Sequence, residues 1–279
     1  MIRVAAVLVT HNSEPWIEAT LASVVAQSRQ PDEIVVVDDV STDATREIVA
    51  RVLGSSVLLV PSTATSDDAY TRIAHNFRQG LSAARGCDIA VFGDHDDVWH
   101  TDRVASQAGL LDEHANVTLV ASDGRLVDEG GRPLGGTLRD TFRVPADINE
   151  MSPEDRMRVV LRKSVATGGA SAVRTAAFVD VTIPDGWLHD RWWSLVATAR
   201  EELLVDDTLV IDYRVSAEQE VGLDTGSQGQ AVLGRMMTAA GGLRTTMNKL
   251  EDIRQLLPSY ATDATRPSLT GPRLLRNLM

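Results

Sequence analysis

The sequence predicts an α/β protein, with a central, mostly parallel sheet flanked by helices. Three observations carry that expectation. Apolar runs such as "VAAVLV" (4–9), "IVVV" (34–37), "VLLV" (57–60) and "IAVF" (89–92) lack polar alternation, as strands covered on both faces do. Each is followed by apolar residues at helical spacing, so strand and helix alternate with short crossovers. Polar or acidic clusters stand where strands end: "THN" (10–12), Asp38–Asp39 and Asp94–Asp97. Ligands of open α/β sheets bind along that C-terminal strand edge.

The elements follow in order. "VAAVLV" is ended by "THNSEP", and Ile17, Leu21, Val24 and Val25 then recur at helical spacing, with Ser13 as expected N-cap and Pro15 in the first turn. "EIVVVDD" (33–39) is the second strand and "STDATREIVARVL" (41–53) a helix capped by Ser41 or Asp43. "SVLLV" (56–60) is a third strand, stopped by Pro61; 71–85 is helix, 88–93 strand, 98–113 helix and 117–122 strand. Beyond Ser122 the pattern loosens. "DEGGRPLGG" reads as a turn followed by a loop, 147–162 as helix, and "TGGASAVRTAAF" (167–178) as a small-residue loop into a strand or helix start. Residues 189–200 read as helix and "LLVDDTLVIDYRV" (203–215) as a hairpin. From Leu223 a linker is expected, then a helix over roughly 231–257 striped by Leu243, Met247, Leu250, Ile253 and Leu257, then a loose tail.

Bulk properties narrow the function. The 279 residues suit one large domain, or one with a small appendage. A net charge of −12 argues against nonspecific nucleic-acid binding, which needs a basic surface. One cysteine, Cys87, allows no intrachain disulfide. The N-terminus does not read as a signal peptide and no long apolar span occurs, so a cytoplasmic protein is expected. No glycine-rich phosphate loop follows the first strand, and "TGGAS" matches a nucleophile elbow poorly.

The densest chemistry lies in "FGDHDDVWH" (92–100). Nearby carboxylates repel one another unless a cation or donors compensate. Asp94, Asp96 and Asp97 suit a D-x-D-D site for a hard cation. In extended backbone Asp94 and Asp96 share a face, Asp97 turns off it, and His95 points the other way. The alternative is a charged loop in which Asp97 or Thr101 caps the next helix. Asp38–Asp39 before "STD" is part capping cluster, part candidate acceptor for the imide N–H of a pyrimidine base. His189–Asp190 before "RWWSLVA" is either a carboxylate base at an acceptor pocket or a helix cap beside core tryptophans. Arg72, Arg78 and Arg85 suit a solvated helix face, with one able to reach a diphosphate. His75 and Asn76 are equally open.

The stretch "VAAVLVTHNSEPWIEATLASVVAQSRQPDEIVVVDDVSTDATREIV" resembles the N-terminal signature of family 2 inverting glycosyltransferases of the GT-A fold. "NFRQGLSAARGCDIAVFGDHDDVW" resembles the second block of their rhamnosyltransferase-like branch, where "DQDDVW" is typical, and "HDRWWSLVA" that branch's acceptor block. "YRVSAEQEVG" stands where "YRQHxxNxVG" is expected. The resemblance implies a GT-A domain over 1–222, with a nucleotide-binding half (1–122) and an acceptor half (123–222), followed by a C-terminal helical extension (223–279). It implies donor contacts from Thr10, His11, Asn12, Asp39, Arg72, Asn76 and Asp94, and Mg²⁺ or Mn²⁺ held by Asp94, Asp96 and Asp97. Asp190 would be the general base. The implied reaction is single-displacement transfer of rhamnose or another hexose from a dTDP-, UDP- or GDP-sugar to a glycan or lipid-linked acceptor, in bacterial polysaccharide synthesis. A non-catalytic nucleotide- or protein-binding module is the alternative. A nucleotidyltransferase would need a basic, glycine-rich N-terminal loop that is absent.

Three positions depart from the pattern. Val40 replaces the usual glycine after "VDD", so that turn is expected to avoid positive φ. Ser216 falls where a metal-binding histidine is common, and His11 where a tyrosine is common. The tail "RPSLTGPRLLRNLM" has three arginines, no acid, and Leu274, Leu275 and Leu278 clustered. It suits peripheral contact with an acidic membrane surface at the inner face of the cell membrane, or a frayed end or homodimer contact.

Overall fold

The computed structural model describes residues 2–216, 240–269 and 274. Buried Val4, Val7, Leu8 and Val9 of the first apolar run force β1 (Val4–Thr10) into the centre of the sheet. It is hydrogen-bonded in parallel to β2 (Glu33–Asp38) on one side and β4 (Ile89–Gly93) on the other, with β3 (Val57–Pro61) outside β2. The second half extends the sheet with mixed direction. β8 (Ser171–Arg174) runs antiparallel to β4 and to β6 (Leu119–Val127). β6 in turn pairs in parallel with β9 (Leu203–Arg214), and β5 (Val98–Trp99) closes the edge antiparallel to β9. The order is β3-β2-β1-β4-β8-β6-β9-β5, with β7 (Pro133–Thr137) off β6.

Helices cover both faces. α1 (Ile17–Val25), α2 (Thr45–Leu53) and α4 (Arg103–Glu113) pack on one side. α3 (Ala69–Ala83), α6 (Pro153–Arg162), α8 (His189–Ala199) and α9 (Ala240–Leu256) pack on the other, with short α5 (Leu138–Phe142) and α7 (Thr175–Phe178) between strands. This gives two apolar cores, one per face of the sheet.

Several local expectations are overturned, each for a physical reason. Ser13 does not cap α1: its Oγ accepts from His11 N–H at 3.1 Å, and the helix begins only at Ile17, with Val25 left 45% exposed. Ser41 does not cap α2, because its Oγ accepts from Asn12 N–H; Asp43 stands just before the helix, and its Oδ1 accepts from the N–H of Thr45, the first helical residue, at 3.0 Å. Val98 and Trp99 are not helical; they pair with Asp212 and Ile211, and α4 starts at Arg103. Neither Asp97 nor Thr101 caps it. "LLVDDTLVIDYRV" is no hairpin but one long, irregular strand serving two neighbours. "RPLGG" is not loop: it forms β7, hairpinned onto β6.

The C-terminal region is integral to the fold. Ile253, Leu257, Leu269 and Leu274 are buried in the same core as α8, while Met247 is 61% exposed and does not belong to the expected stripe. Leu274 is therefore not displayed for a membrane; Leu275 and Leu278 lie outside the described residues, as do the expected linker from Leu223 and the start of the helix at 231. Among the described residues no helix is long and apolar enough to cross a membrane.

Candidate active site

The site grows from the C-terminal ends of β1, β2 and β4. Thr10 Oγ1 donates to Asp38 Oδ1 at 3.1 Å, and Asp38 also accepts from Ser41 N–H and pairs with Arg46 at 3.5 Å. Asp38 is thus occupied in holding its own loop. Asn12 sits at φ 46° and bridges to the same loop, its N–H on Ser41 Oγ and its Oδ1 accepting from Thr42 N–H at 2.8 Å. Thr10 and Asn12 build the turn that presents His11. His11 Nδ1 lies 2.5 Å from the Asp39 carbonyl. A carbonyl only accepts, so Nδ1 carries the proton.

Asp39 is buried, and its Oδ2 accepts from Arg72 Nε of α3 at 2.8 Å. Of Arg72, Arg78 and Arg85, Arg72 is turned onto Asp39; Arg85 lies beyond the end of α3 and pairs with Asp180 on the surface. Asn76 is fully enclosed, with Oδ1 accepting from Ser62 Oγ at 2.5 Å, so it anchors the loop after β3 from within.

Val40 adopts φ 56°, against the expectation that a valine there avoids the left-handed region. The bonds made by Asn12, Ser41 and Asp38 on either side over-determine the turn. The chain keeps a glycine-like conformation with a β-branched residue, which is strained.

The loop after β4 bends at 95–96, and this redistributes the aspartates. Asp94 and Asp97 both come up against Gly169, and Asp96 is the first repelling charge on each. A Cβ built on Gly169 would lie 2.6 Å from Asp97 Oδ2 and 2.7 Å from Asp94 Oδ2. Asp97 is fully buried; its Oδ1 accepts from Arg214 N–H at 3.1 Å and its Oδ2 has no partner. The Asp96 carbonyl accepts from Arg214 Nε at 2.9 Å, and the same guanidinium lies 4.6 Å from the Trp16 ring centre. Burial, then repulsion by Asp96 and Asp190, pushes Asp94 up to about 7. Burial and its two neighbours raise Asp97 well above the carboxylate range.

Part of the compensation comes from below. Arg103 of α4 is 1% exposed, stacks over Trp99 at 3.9 Å and donates to the Phe92 carbonyl. Burial draws it down to about 9, opposed by Asp97 and Asp94. The repulsion posed by "DHDD" is therefore answered partly by an internal arginine.

His189 and Asp190 separate into two roles. His189 stacks on Phe77 with ring centres 3.8 Å apart, and burial lowers it to about 3, so it is a neutral core ring. Asp190, in the first turn of α8, accepts from Gly168 N–H at 2.8 Å and from Arg191 N–H at 2.6 Å. Burial raises it to about 6.

Gly168 and Gly169 lie between the two acidic groups of the site, and sequence reasoning passed over them. Gly168 bonds Asp190 and abuts the His189 ring, where a Cβ would stand 2.7 Å away; Gly169 abuts Asp94 and Asp97. The readable signal was "TGGAS" itself, two adjacent glycines between the two acidic motifs. Tyr213 was also missed. It is buried and raised well above its usual range by burial, then by Asp97, Asp94, Asp96 and Asp190, so it neighbours all four carboxylates.

Among the described residues no three His, Cys, Asp or Glu groups are arranged to hold a metal ion, so Asp94, Asp96 and Asp97 do not form a ready-made cage. The orphaned Asp97 oxygen beside raised, mutually repelling carboxylates does fit a hard divalent cation whose remaining oxygens come from a ligand.

A nine-stranded sheet with a parallel half, and acids gathered at its C-terminal edge, is the architecture of a nucleotide-diphospho-sugar transferase of GT-A type. Residues 5–178 match the Glycosyl transferase family 2, and the chain belongs to that family. The putative teichuronic acid biosynthesis glycosyltransferase TuaG of Bacillus subtilis is 30% identical over 134 residues, 45% of this chain and 51% of that protein. An uncharacterised Mycobacterium tuberculosis protein is 33% identical over 130 residues, 45% of this chain and 36% of the relative. This chain thus matches only about a third to a half of the length of such curated relatives. In structure it is similar to Staphylococcus aureus TarS in complex with UDP-GlcNAc, with a TM-score of 0.61 at 18% identity over 96% of this chain and 69% of that one. It is also similar to glucosyl-3-phosphoglycerate synthase of M. tuberculosis in complex with Mn²⁺ and UDP, at 0.54 and 20%, over 77% and 73%.

Proposed function

We propose that this protein is an inverting glycosyltransferase that moves a sugar from a nucleoside-diphosphate donor to a hydroxyl of a glycan or lipid-linked acceptor. The observation that carries this is the glycine pair. It brings Asp190, a carboxylate raised to about 6, against Asp94 and Asp97 at the edge where β1 and β2 present His11 and Asp39. At neutral pH Asp190 is ionised yet more basic than an ordinary carboxylate, which suits a general base. The acceptor oxygen bonds the anomeric carbon from one side while the bond to the diphosphate breaks on the other, and the acceptor proton passes to Asp190.

His11 and Asp39 would hold the base and ribose, with Arg72 fixing Asp39. Asp94, Asp96 and Asp97 are the carboxylates to hold Mg²⁺ or Mn²⁺, which when bound would offset charge on the departing diphosphate. The neighbours described with UDP-GlcNAc and with UDP and Mn²⁺ make a uridine donor the first to test. Rhamnose or another hexose is the sugar expected from "DHDDVW" and "HDRWW".

The test is calorimetric titration and hydrolysis of UDP-, dTDP- and GDP-sugars with Mn²⁺ or Mg²⁺. Turnover lost in Asp190→Asn and Asp96→Ala, with nucleotide still bound by Asp190→Asn, is the expected result. No binding of any nucleotide sinks the reading. Binding without turnover makes the chain a nucleotide-binding module, the outcome to which Ser216 would point.

A further inference from the structure

At the loop that enters α8 stands a cation with no assigned use. The chain has two lysines, Lys163 and Lys249. Lys249, on α9, holds its ammonium over two aromatic faces, 4.9 Å from the Trp187 ring centre and 5.5 Å from that of Tyr70. Three segments converge to build this seat. Trp187 comes from the loop entering α8, and its indole N–H donates to Asp252 Oδ2, one helical turn beyond Lys249, at 2.9 Å. Tyr70 comes from the first turn of α3, and Thr71 beside it accepts from Gly186 N–H at 2.8 Å. Trp187 is itself packed on Trp192, with ring centres 5.2 Å apart.

The seat borders the Asp190 end of the site. Tyr70 is close enough to Asp190 to be raised by its charge, and Lys249 is close enough to Arg191 to be lowered by it. The other cations there are committed. Arg72 pairs with Asp39; Arg191 is spent on the carbonyls of Val160, Leu161 and Lys163; Arg103 lies beneath the aspartates. Lys249 has no carboxylate within ion-pair distance and no hydrogen bond among the described residues, although Asp68 and Asp252 lie near enough to be felt. An ammonium held on aromatic faces, partly stripped of water and lacking an oxygen partner, favours an anion that supplies one.

Resting on the glycosyltransferase reading above, we propose that Lys249 is the acceptor-side specificity residue and that it reads a phosphate carried by the acceptor. The C-terminal helix would then select among acceptors as well as complete the core. A lysine serving only to fasten α9 would be indifferent to phosphate.

The test uses the full chain after reductive dimethylation with ¹³C-formaldehyde, which keeps both lysines charged. Lys249→Met assigns the Lys249 resonance, which ring currents from Trp187 and Tyr70 displace from that of Lys163. With UDP and Mg²⁺ present, glucose 1-phosphate and inorganic phosphate should move the Lys249 signal saturably. Glucose should not, and Lys163 should stay still. Calorimetric affinity for glucose 1-phosphate, again with UDP and Mg²⁺, should fall about tenfold in Lys249→Met and be retained in Lys249→Arg. No movement with any phosphate overturns the proposal. So does movement by UDP alone that leaves no further response to glucose 1-phosphate, which would assign the lysine to the donor diphosphate. The NMR readout needs no turnover, so its failure is distinct from that of the transferase reading, which falls on absent nucleotide binding. Should Lys249→Met not fold, the unsubstituted protein and Lys249→Arg still decide.

Discussion

Replacing Val40 by glycine should make the protein more stable. Val40 stands at φ 56° with its side chain 66% exposed, so little packing is lost when it is removed. A left-handed conformation costs an L-residue about 1–2 kcal/mol, and a β-branched one sits at the upper end. Glycine forfeits about 0.4–1 kcal/mol through the greater freedom of its unfolded chain. The balance is a gain of about 1 kcal/mol, or roughly 2–4 °C in melting temperature for a chain of this size. Urea denaturation followed by tryptophan fluorescence measures it, with Val40→Ala as the control. Alanine keeps the left-handed penalty and should differ from wild type by less than the glycine variant. A Val40→Gly protein with an unchanged or lower midpoint, at unchanged denaturant slope, would refute the strain argument. It would mean the turn gains from the valine something other than its backbone shape. Nucleotide affinity should hold in Val40→Gly, because His11, Asn12 and Ser41 fix the turn independently.

Two further predictions test the acidic edge. Gly169→Ala places a methyl 2.6–2.7 Å from carboxylate oxygens of Asp97 and Asp94, an overpacking worth about 1–3 kcal/mol; denaturation should show that loss, and donor hydrolysis should fall more than nucleotide binding. The pH dependence has a definite sign. Asp94, raised to about 7, Asp190, raised to about 6, and Asp97 keep protons in the folded state that the unfolded chain releases near pH 4. Their contribution to stability therefore falls as pH rises from about 4 to 7. Neutral His189, lowered to about 3, acts in the opposite direction below its unfolded value of about 6.5, but it is one group against three. Without divalent cation, the denaturation midpoint should drop between pH 5 and pH 8, and Asp97→Asn should flatten that drop; an equal slope in the variant would contradict the assignment of buried, protonated carboxylates.

Much of the molecule was legible beforehand. Unbroken apolar runs marked β1 to β4; β1, β2 and β4 are covered and have no polar side to display, whereas β3 is an edge strand that leaves Leu58 and Leu59 exposed. The same runs placed "THN", Asp39 and Asp94 on one edge, because a right-handed strand–helix–strand crossover leaves successive strand ends together. The second half was less legible. β9 serves β6 and β5 at once, so its pattern mixes two environments and imitates a hairpin. Val98 and Trp99 carry a helical-looking spacing that a strand partner over a hundred residues away overrides.

The sequence by itself determined the class of fold, and it offered the C-terminal sheet edge and Asp39, Asp94, Asp96, Asp97 and Asp190 as the candidate site. Only the tertiary structure decided which carboxylates meet, because the bend at 95–96 and the absent side chains of Gly168 and Gly169 depend on contacts between distant segments. It alone assigned His189 to the core and Asp190 to the site, although they are adjacent, since a helix start points neighbouring side chains about 100° apart. It also brought Arg103 under the aspartates and Lys249 beside Tyr70. Such long-range pairings leave no periodicity in the chain, because they arise from packing geometry and not from local spacing.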